Sequence, residues 1–164
     1  MTNTADAHNG PVATYSDRRV MPYRAEQIFD LVVDVERYPE FLSLWEEATI
    51  IDRGRNVYHT DQVVRLGLLR TRFRSKTVLS RPQHIEVISC DGLFRRFSIG
   101  WHFAKTAGGK SCQVDCDLVW EVRSPLLHNI LQFILAEAGQ NIITAFEQRA
   151  DALYGEMATA VQTR

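Results

Sequence analysis

Ser111-Cys112-Gln113-Val114-Asp115-Cys116-Asp117-Leu118-Val119-Trp120-Glu121, running on into residues 126–153, is the stretch that decides the fold. In an extended chain Cys112, Val114, Cys116, Leu118 and Trp120 fall on one face, and mostly polar residues fall on the other. Strand side chains alternate between faces, so this reads as a strand of a sheet with one dry side. Residues 126–153 predict a single amphipathic helix. A helix of about 28 residues spans about 42 Å at 1.5 Å per residue. It needs a partner surface of similar length, and a curved sheet wrapped around it supplies one.

The rest of the chain provides that sheet. Residues 12–21 read as a first strand, ended by Pro22, which has no N–H to give to a ladder. Residues 24–35 read as a helix, with Ile28, Phe29, Leu31, Val32 and Val35 at helical spacing. Tyr38-Pro39-Glu40-Phe41-Leu42 starts a second, shorter helix with Pro39 in its first turn. Strand-like stretches follow at 46–52, 57–66, 70–80, 84–90, 94–104 and 110–122. The links between them carry turn residues, among them Gly54, Gly67, Pro82, Asp91-Gly92 and Gly108-Gly109. Links this short make an antiparallel meander, which residues 12–21 can join as a seventh strand. The expected class is α+β in the helix-grip arrangement. A seven-stranded curved antiparallel sheet surrounds a long C-terminal helix, and two short helices follow the first strand. One domain is expected over residues 12–155, between an N-terminal tail at 1–11 and a C-terminal tail at 156–164.

Bulk properties narrow the function. The 164 residues are 45% hydrophobic and 24% charged with a formal net charge of −1, so no global basic field points to nucleic acid. Three cysteines, Cys90, Cys112 and Cys116, are an odd number that fits a reducing compartment. The first residues lack a charged-then-apolar leader pattern, and the nearly apolar run 126–135 is broken by His128, Asn129 and Gln132. The expected location is cytoplasmic, with peripheral contact at the inner membrane. G-x-G-x-x-G, Walker A, H-E-x-x-H and G-x-S-x-G patterns are absent. The five histidines are scattered with no i, i+4 pair, so neither a metal site nor a catalytic residue is expected.

The faces of the strands define a candidate ligand site. Phe73, Ser75, Val87, Phe97, Ile99, Trp101, Val114, Cys116 and Leu118 should line it from the sheet. Leu127, Leu131, Ile134, Leu135, Ala138 and Ile142 should line it from the helix. Small groups such as Thr71, Ser75, Thr77, Ser89 and Cys116 on otherwise large apolar faces suit a pocket with a few orienting contacts. Tyr38, Pro39, Phe41, Leu42 and Trp45 form the most apolar segment outside the sheet and are expected at the cavity mouth. Arg70, Arg72, Arg74 and Lys76 make a basic row on the opposite face of their strand. That row is a candidate contact for anionic lipid or RNA.

One family resemblance rests on specific residues. Tyr23-Arg24-Ala25-Glu26-Gln27-Ile28-Phe29-Asp30-Leu31-Val32, Asp34-Val35-Glu36-Arg37-Tyr38-Pro39-Glu40-Phe41-Leu42, Asp91-Gly92-x-Phe94-Arg95, Trp101-x-Phe103, Ser124-x-Leu126-Leu127 and Ala145-Phe146-Glu147-x-Arg149-Ala150 resemble the coenzyme Q-binding proteins. These lie within the START-like polyketide cyclase/lipid-transport superfamily, whose bacterial members include ribosome-association toxins. The chain departs from that pattern after Leu42, where Ser43-Leu44-Trp45 replaces a Pro-Trp-Cys type sequence, and at Leu93, where proline is common. The resemblance implies a binding and delivery protein for a polyprenyl quinone such as ubiquinone, held without a covalent cofactor and supporting respiratory electron transport. Its alternative is an interaction protein that binds a ribosomal subunit and blocks association. A cyclase or dehydratase acting on an aromatic or polyketide substrate stands third. Oligomeric state is left open.

Overall fold

Period-2 patterning and turn chemistry produce one continuous sheet. The computed structural model describes the backbone of residues 11–161 and the side chains of residues 11–155. The elements in order are β1 (Ala13–Met21), α1 (Ala25–Val33), a 3-10 helix (Val35–Glu40), β2 (Trp45–Arg53), β3 (Val57–Leu66), β4 (Leu69–Ser80), β5 (His84–Ser89), β6 (Phe94–Lys105), β7 (Cys112–Val122) and α2 (Pro125–Val161). Strand order across the sheet is β1-β7-β6-β5-β4-β3-β2, antiparallel throughout. The meander is therefore β2 to β7, and β1 joins as the seventh strand, at the edge beside β7. This is the helix-grip, START-like fold, with α2 against the concave face.

Two boundaries differ from expectation. The second short helix is a 3-10 turn that starts at Val35 and carries Pro39 inside it. Asp34 closes α1 by its N–H to Asp30 O and then accepts from the Arg37 N–H at 3.1 Å, so the chain turns at once. α2 begins at Pro125, at the first helical position where proline's missing N–H costs nothing. It then continues to Val161, so the first part of the expected tail at 156–164 is helical. Gly155 is the one weak helix former near the expected end, and about 1 kcal/mol relative to alanine does not stop a helix this long. Residues 1–10 and 162–164 lie outside the described residues.

The core sits between the concave face and α2. Trp101, Trp120, Phe103 and Val114 from the sheet, Ile28, Phe29 and Val32 from α1, and Leu131, Ile143 and Phe146 from α2 are buried. Each such side chain contributes about 1.5–3 kcal/mol of apolar burial. α2 crosses β1 at Gly139, where a β-carbon would lie 2.7 Å from the Tyr15 ring. The later part of α2 is pinned by polar ties. Arg19 donates to Thr144 Oγ1 at 2.9 Å and Glu147 Oε2 at 3.1 Å, Tyr23 to Asp151, Arg149 to Glu40 at 2.7 Å, and Tyr154 to Gln27 O at 3.2 Å. The earlier part rests on the sheet through apolar contact.

Candidate ligand site between the long helix and the sheet

Among the described residues the grip holds a surface cleft and smaller inner spaces. A surface cleft of about 220 Å³ runs between residues 41–45 and the α2 side chains Ile134, Glu137, Ala138, Asn141, Ile142 and Ala145. Behind it are two spaces of about 30 Å³ each. One is bordered by Tyr38, Tyr58, Gln62, Thr77, Val87, Ile99, Trp101 and Phe146. The other is bordered by Val64, Leu66, Phe94, Leu118, Leu135 and Ala138. Phe73 and Phe97 border both inner spaces, and Trp45 and Ile142 border all three. Trp45 and Ile142 are thus the centre of the partition between surface cleft and interior, to which Leu42, Leu44 and Ala138 also contribute. Each inner space has room for about one water. Any larger guest requires the partition to move.

The expected lining residues divide accordingly. Phe73, Val87, Phe97, Ile99, Trp101, Leu118, Leu135, Ala138 and Ile142 border the inner spaces, and Ile134 borders the cleft. Val114, Cys116, Leu127 and Leu131 border none of the three and serve as packing. Ser89 donates to Arg74 O and so closes the end of β5. Ser75 is turned into a buried polar cluster with two β3 residues that the sequence reading passed over. Gln62 Nε2 donates to Thr60 Oγ1 at 2.7 Å and to Ser75 Oγ at 3.0 Å, and the two hydroxyls lie 2.7 Å apart. The Trp45 indole N–H donates to Gln62 Oε1 at 2.6 Å. The signal was present: Tyr58, Thr60, Gln62 and Val64 occupy alternate positions of residues 57–66, the same dry face as Phe73 and Ser75.

A local irregularity aims Trp45 inward. The β2–β3 register slips between Trp45 and Glu47, so Glu46 and Glu47 both face outward while Trp45 faces the core. Such a bulge re-aims a side chain at the start of a strand. Trp45 meets Tyr38 edge-on at 5.9 Å, and Tyr38, Phe41 and Phe146 close the mouth with ring separations of 5.1–5.9 Å. Arg149 stacks over Phe41 at 5.3 Å. Of the expected mouth residues, Phe41, Leu42 and Trp45 border the cleft, Tyr38 lies behind it, and Pro39 is exposed and borders no space.

The inner spaces are bordered by no Asp, Glu, His, Lys or Arg. Burial holds the Tyr38 and Tyr58 hydroxyls protonated well past neutrality, and Tyr38 donates to Val32 O at 2.5 Å. Burial pushes the Cys112 thiol up to about 11 and Cys116 higher still, so neither offers a thiolate near neutral pH. The lining supplies apolar contact and neutral hydrogen bonds. Among the described residues no group of three His, Cys, Asp or Glu is placed to hold a metal ion.

On the outer surface, half of the basic row is paired with carboxylates. Arg70 pairs with Glu46 at 2.7 Å and Glu47 at 2.9 Å, and Arg72 pairs with Asp61 at 2.8 Å and Glu47 at 3.4 Å. Among the most exposed apolar groups are Leu126, Ile130 and Phe133 on α2, and Leu68 in the β3–β4 turn, which is fully exposed. That turn abuts α2: a β-carbon on Gly67 would lie 3.3 Å from Ile134 Cδ1. The stripe therefore adjoins the cleft.

Known proteins resemble this chain in sequence and fold. Residues 21–147 match the family described as polyketide cyclase/dehydrase and lipid transport. The chain is 34% identical over 136 residues to the ribosome association toxin RatA of Pseudomonas aeruginosa, covering 83% of this chain and 94% of that one. It is 26% identical over 159 residues to the mitochondrial coenzyme Q-binding protein COQ10 of Dictyostelium discoideum, covering 93% and 78%. Among solved structures, TTHA0849 of Thermus thermophilus has the same fold, with a TM-score of 0.76 at 20% identity, covering 86% and 99%. The family match takes in the whole meander, the mouth and the α2 residues of the cleft, and the chain belongs to the polyketide cyclase/dehydrase and lipid transport family.

Proposed function

We propose that this protein binds and delivers a hydrophobic small molecule, a polyprenyl quinone, in the grip between α2 and the sheet, in support of respiratory electron transport and without covalent chemistry. The observation that carries the reading is the partitioned interior. A largely apolar surface cleft meets two uncharged inner spaces, and one bulged tryptophan and one isoleucine border all three. A tail entering there gains about 0.8 kcal/mol per CH₂ removed from water, and the hydroxyls and amide inside can orient a polar head. The relative named as a coenzyme Q-binding protein supports the quinone. The two inner spaces are bordered by no carboxylate or imidazole to act as acid or base, which favours carriage over a cyclase reaction. We place the encounter with the ligand at a membrane surface, through Leu68, Ile130 and Phe133 beside the cleft, with the protein otherwise cytoplasmic. Among the described residues no helix is long and apolar enough to cross a bilayer.

The test is solvent extraction of protein purified from its native host, followed by mass spectrometry. A polyprenyl quinone in stoichiometric yield supports the reading, and an extract free of isoprenoid lipid from folded protein rejects it. A second reading, association with a ribosomal subunit, has the 34%-identical relative in its favour. Co-sedimentation with subunits at moderate salt tests it. The pairing of Arg70 and Arg72 with carboxylates removes much of the basic row that such binding would use.

A further inference from the structure

Resting on the carrier reading, we infer that the Trp45 indole occupies the head-group position of the ligand, and that Gln62 selects a head ring bearing a hydroxyl, so that the reduced hydroquinone form is bound in preference to the quinone. Trp45 is a flat aromatic ring with one N–H, and it is held in the way a small phenolic ring would be held. Its donor meets Gln62 Oε1 at 2.6 Å, its ring makes a T-shaped contact with the Tyr38 ring, and it borders the cleft and both inner spaces. It reaches that position through the bulge between Trp45 and Glu47.

Gln62 makes the chemistry directional. Its amide nitrogen is anchored to Thr60 Oγ1 and Ser75 Oγ, which turns the carbonyl oxygen toward the indole. Thr60, Gln62 and Ser75 are at most 4% exposed, so water does not freely replace a lost partner. When Trp45 swings toward the cleft, Gln62 Oε1 becomes a buried acceptor that needs a donor. Leaving a buried acceptor unpaired is costly. A phenolic hydroxyl supplies the donor and a quinone carbonyl does not. The apolar tail then lies along Ile134, Ala138 and Ile142, which border the cleft on the route Trp45 vacates.

The experiment is anaerobic titration calorimetry of the full chain with a short-tailed ubiquinone analogue in its quinone and hydroquinone forms, alongside a saturated alcohol of equal tail length. Wild type is expected to bind the hydroquinone about tenfold tighter than the quinone, a difference of about 1.4 kcal/mol. Gln62→Leu should abolish that preference while quinone binding persists. Because Gln62→Leu perturbs a buried cluster, Trp45 emission provides a second measurement. Hydroquinone should move the wild-type emission to longer wavelength as the indole leaves the cluster, and Trp45→Phe should lack that change. Equal affinity of wild type for the two forms, a preference that survives Gln62→Leu, or unchanged emission at saturation overturns the inference. If none of the three ligands binds folded wild type, the carrier reading falls as well.

Discussion

Gly139 shows how a single missing methyl sets the depth of the grip. A β-carbon there would lie 2.7 Å from Tyr15 Cδ1 and 3.0 Å from Cγ, atoms near the root of the ring that cannot swing away. Gly139→Ala is therefore expected to destabilise the fold by about 1–3 kcal/mol, as overpacking does, despite the roughly 1 kcal/mol that alanine gains in helix propensity. Urea denaturation measures it, and adding Tyr15→Ala should recover part of the loss; a stabilised single variant would show that α2 sits further from β1. Gly92 answers a different constraint. It adopts φ +62°, and a β-carbon would lie 2.5 Å from Arg72 O. Asp91 accepts the Arg74 N–H at 2.9 Å beside it, so the Asp91-Gly92 turn seals the short β5 against β4. Ala138 borders both the cleft and an inner space and is half-buried. Ala138→Asp is expected to fold, with its carboxylate reaching the open cleft, and to lose quinone retention at least tenfold in an extraction assay, about 1.4 kcal/mol. Leu135→Asp places the charge at a buried position and is expected to unfold the chain.

At the scale of elements, the mouth is a 3-10 helix and a bulged strand end tied to α2. Glu40 accepts from Arg37 at 2.6 Å and from Arg149 at 2.7 Å, and these partners hold its carboxyl below the usual carboxylate range. A depressed carboxylate in the folded state contributes stability that is present above its unfolded value and lost as pH falls through the folded one. The tie from mouth to α2 is thus intact at neutral pH and lost below the ordinary value of 4.5. Ligand release should accelerate in that acid window, and Glu40→Gln should release faster at pH 7 and lose the acid step. Stopped-flow release measured from about pH 7 downward through the ordinary glutamate value checks it; identical profiles for the two proteins would remove the tie from the gate. Hydrogen exchange over residues 38–45 should slow when ligand is bound. Little of this was legible in the sequence. Hydrophobic spacing located an apolar segment after α1, but the 3-10 geometry follows from the Asp34 and Asp30 backbone bonds. The inward Trp45 follows from a one-residue register slip that periodicity cannot encode.

For the molecule as a whole, alternation in residues 70–80, 94–104 and 110–122 specified the sheet faces, because one face must be dry and a slip of one residue would expose it. The site was legible as a face and not as a cavity. Packing density decides how much of the space between a sheet and a helix is filled, and here aromatic rings fill most of it, among them Trp101 against Phe146 at 5.2 Å. The surface pairing was not legible for a related reason, since pairing between strands is a tertiary property. Arg70 and Arg72 stand in a basic row in sequence, yet Glu46, Glu47 and Asp61 from the neighbouring strands face them across the sheet. Beside the cleft the apolar side chains of Leu68, Ile130 and Phe133 are exposed. The two kinds of surface differ in their response to salt. Attraction between exposed charges is screened within about 3 Å at 1 M salt, whereas burial of apolar side chains persists. Binding of the protein to anionic vesicles is therefore expected to change little between low salt and about 1 M, and to fall several-fold in Ile130→Ser/Phe133→Ser with its thermal stability retained, since both residues are exposed. Arg70→Gln/Arg72→Gln should bind like wild type. Flotation of the three proteins with vesicles at the two salt concentrations decides it, and binding that disappears at high salt would mean that the ion pairs open at the membrane and that the basic row is the contact after all.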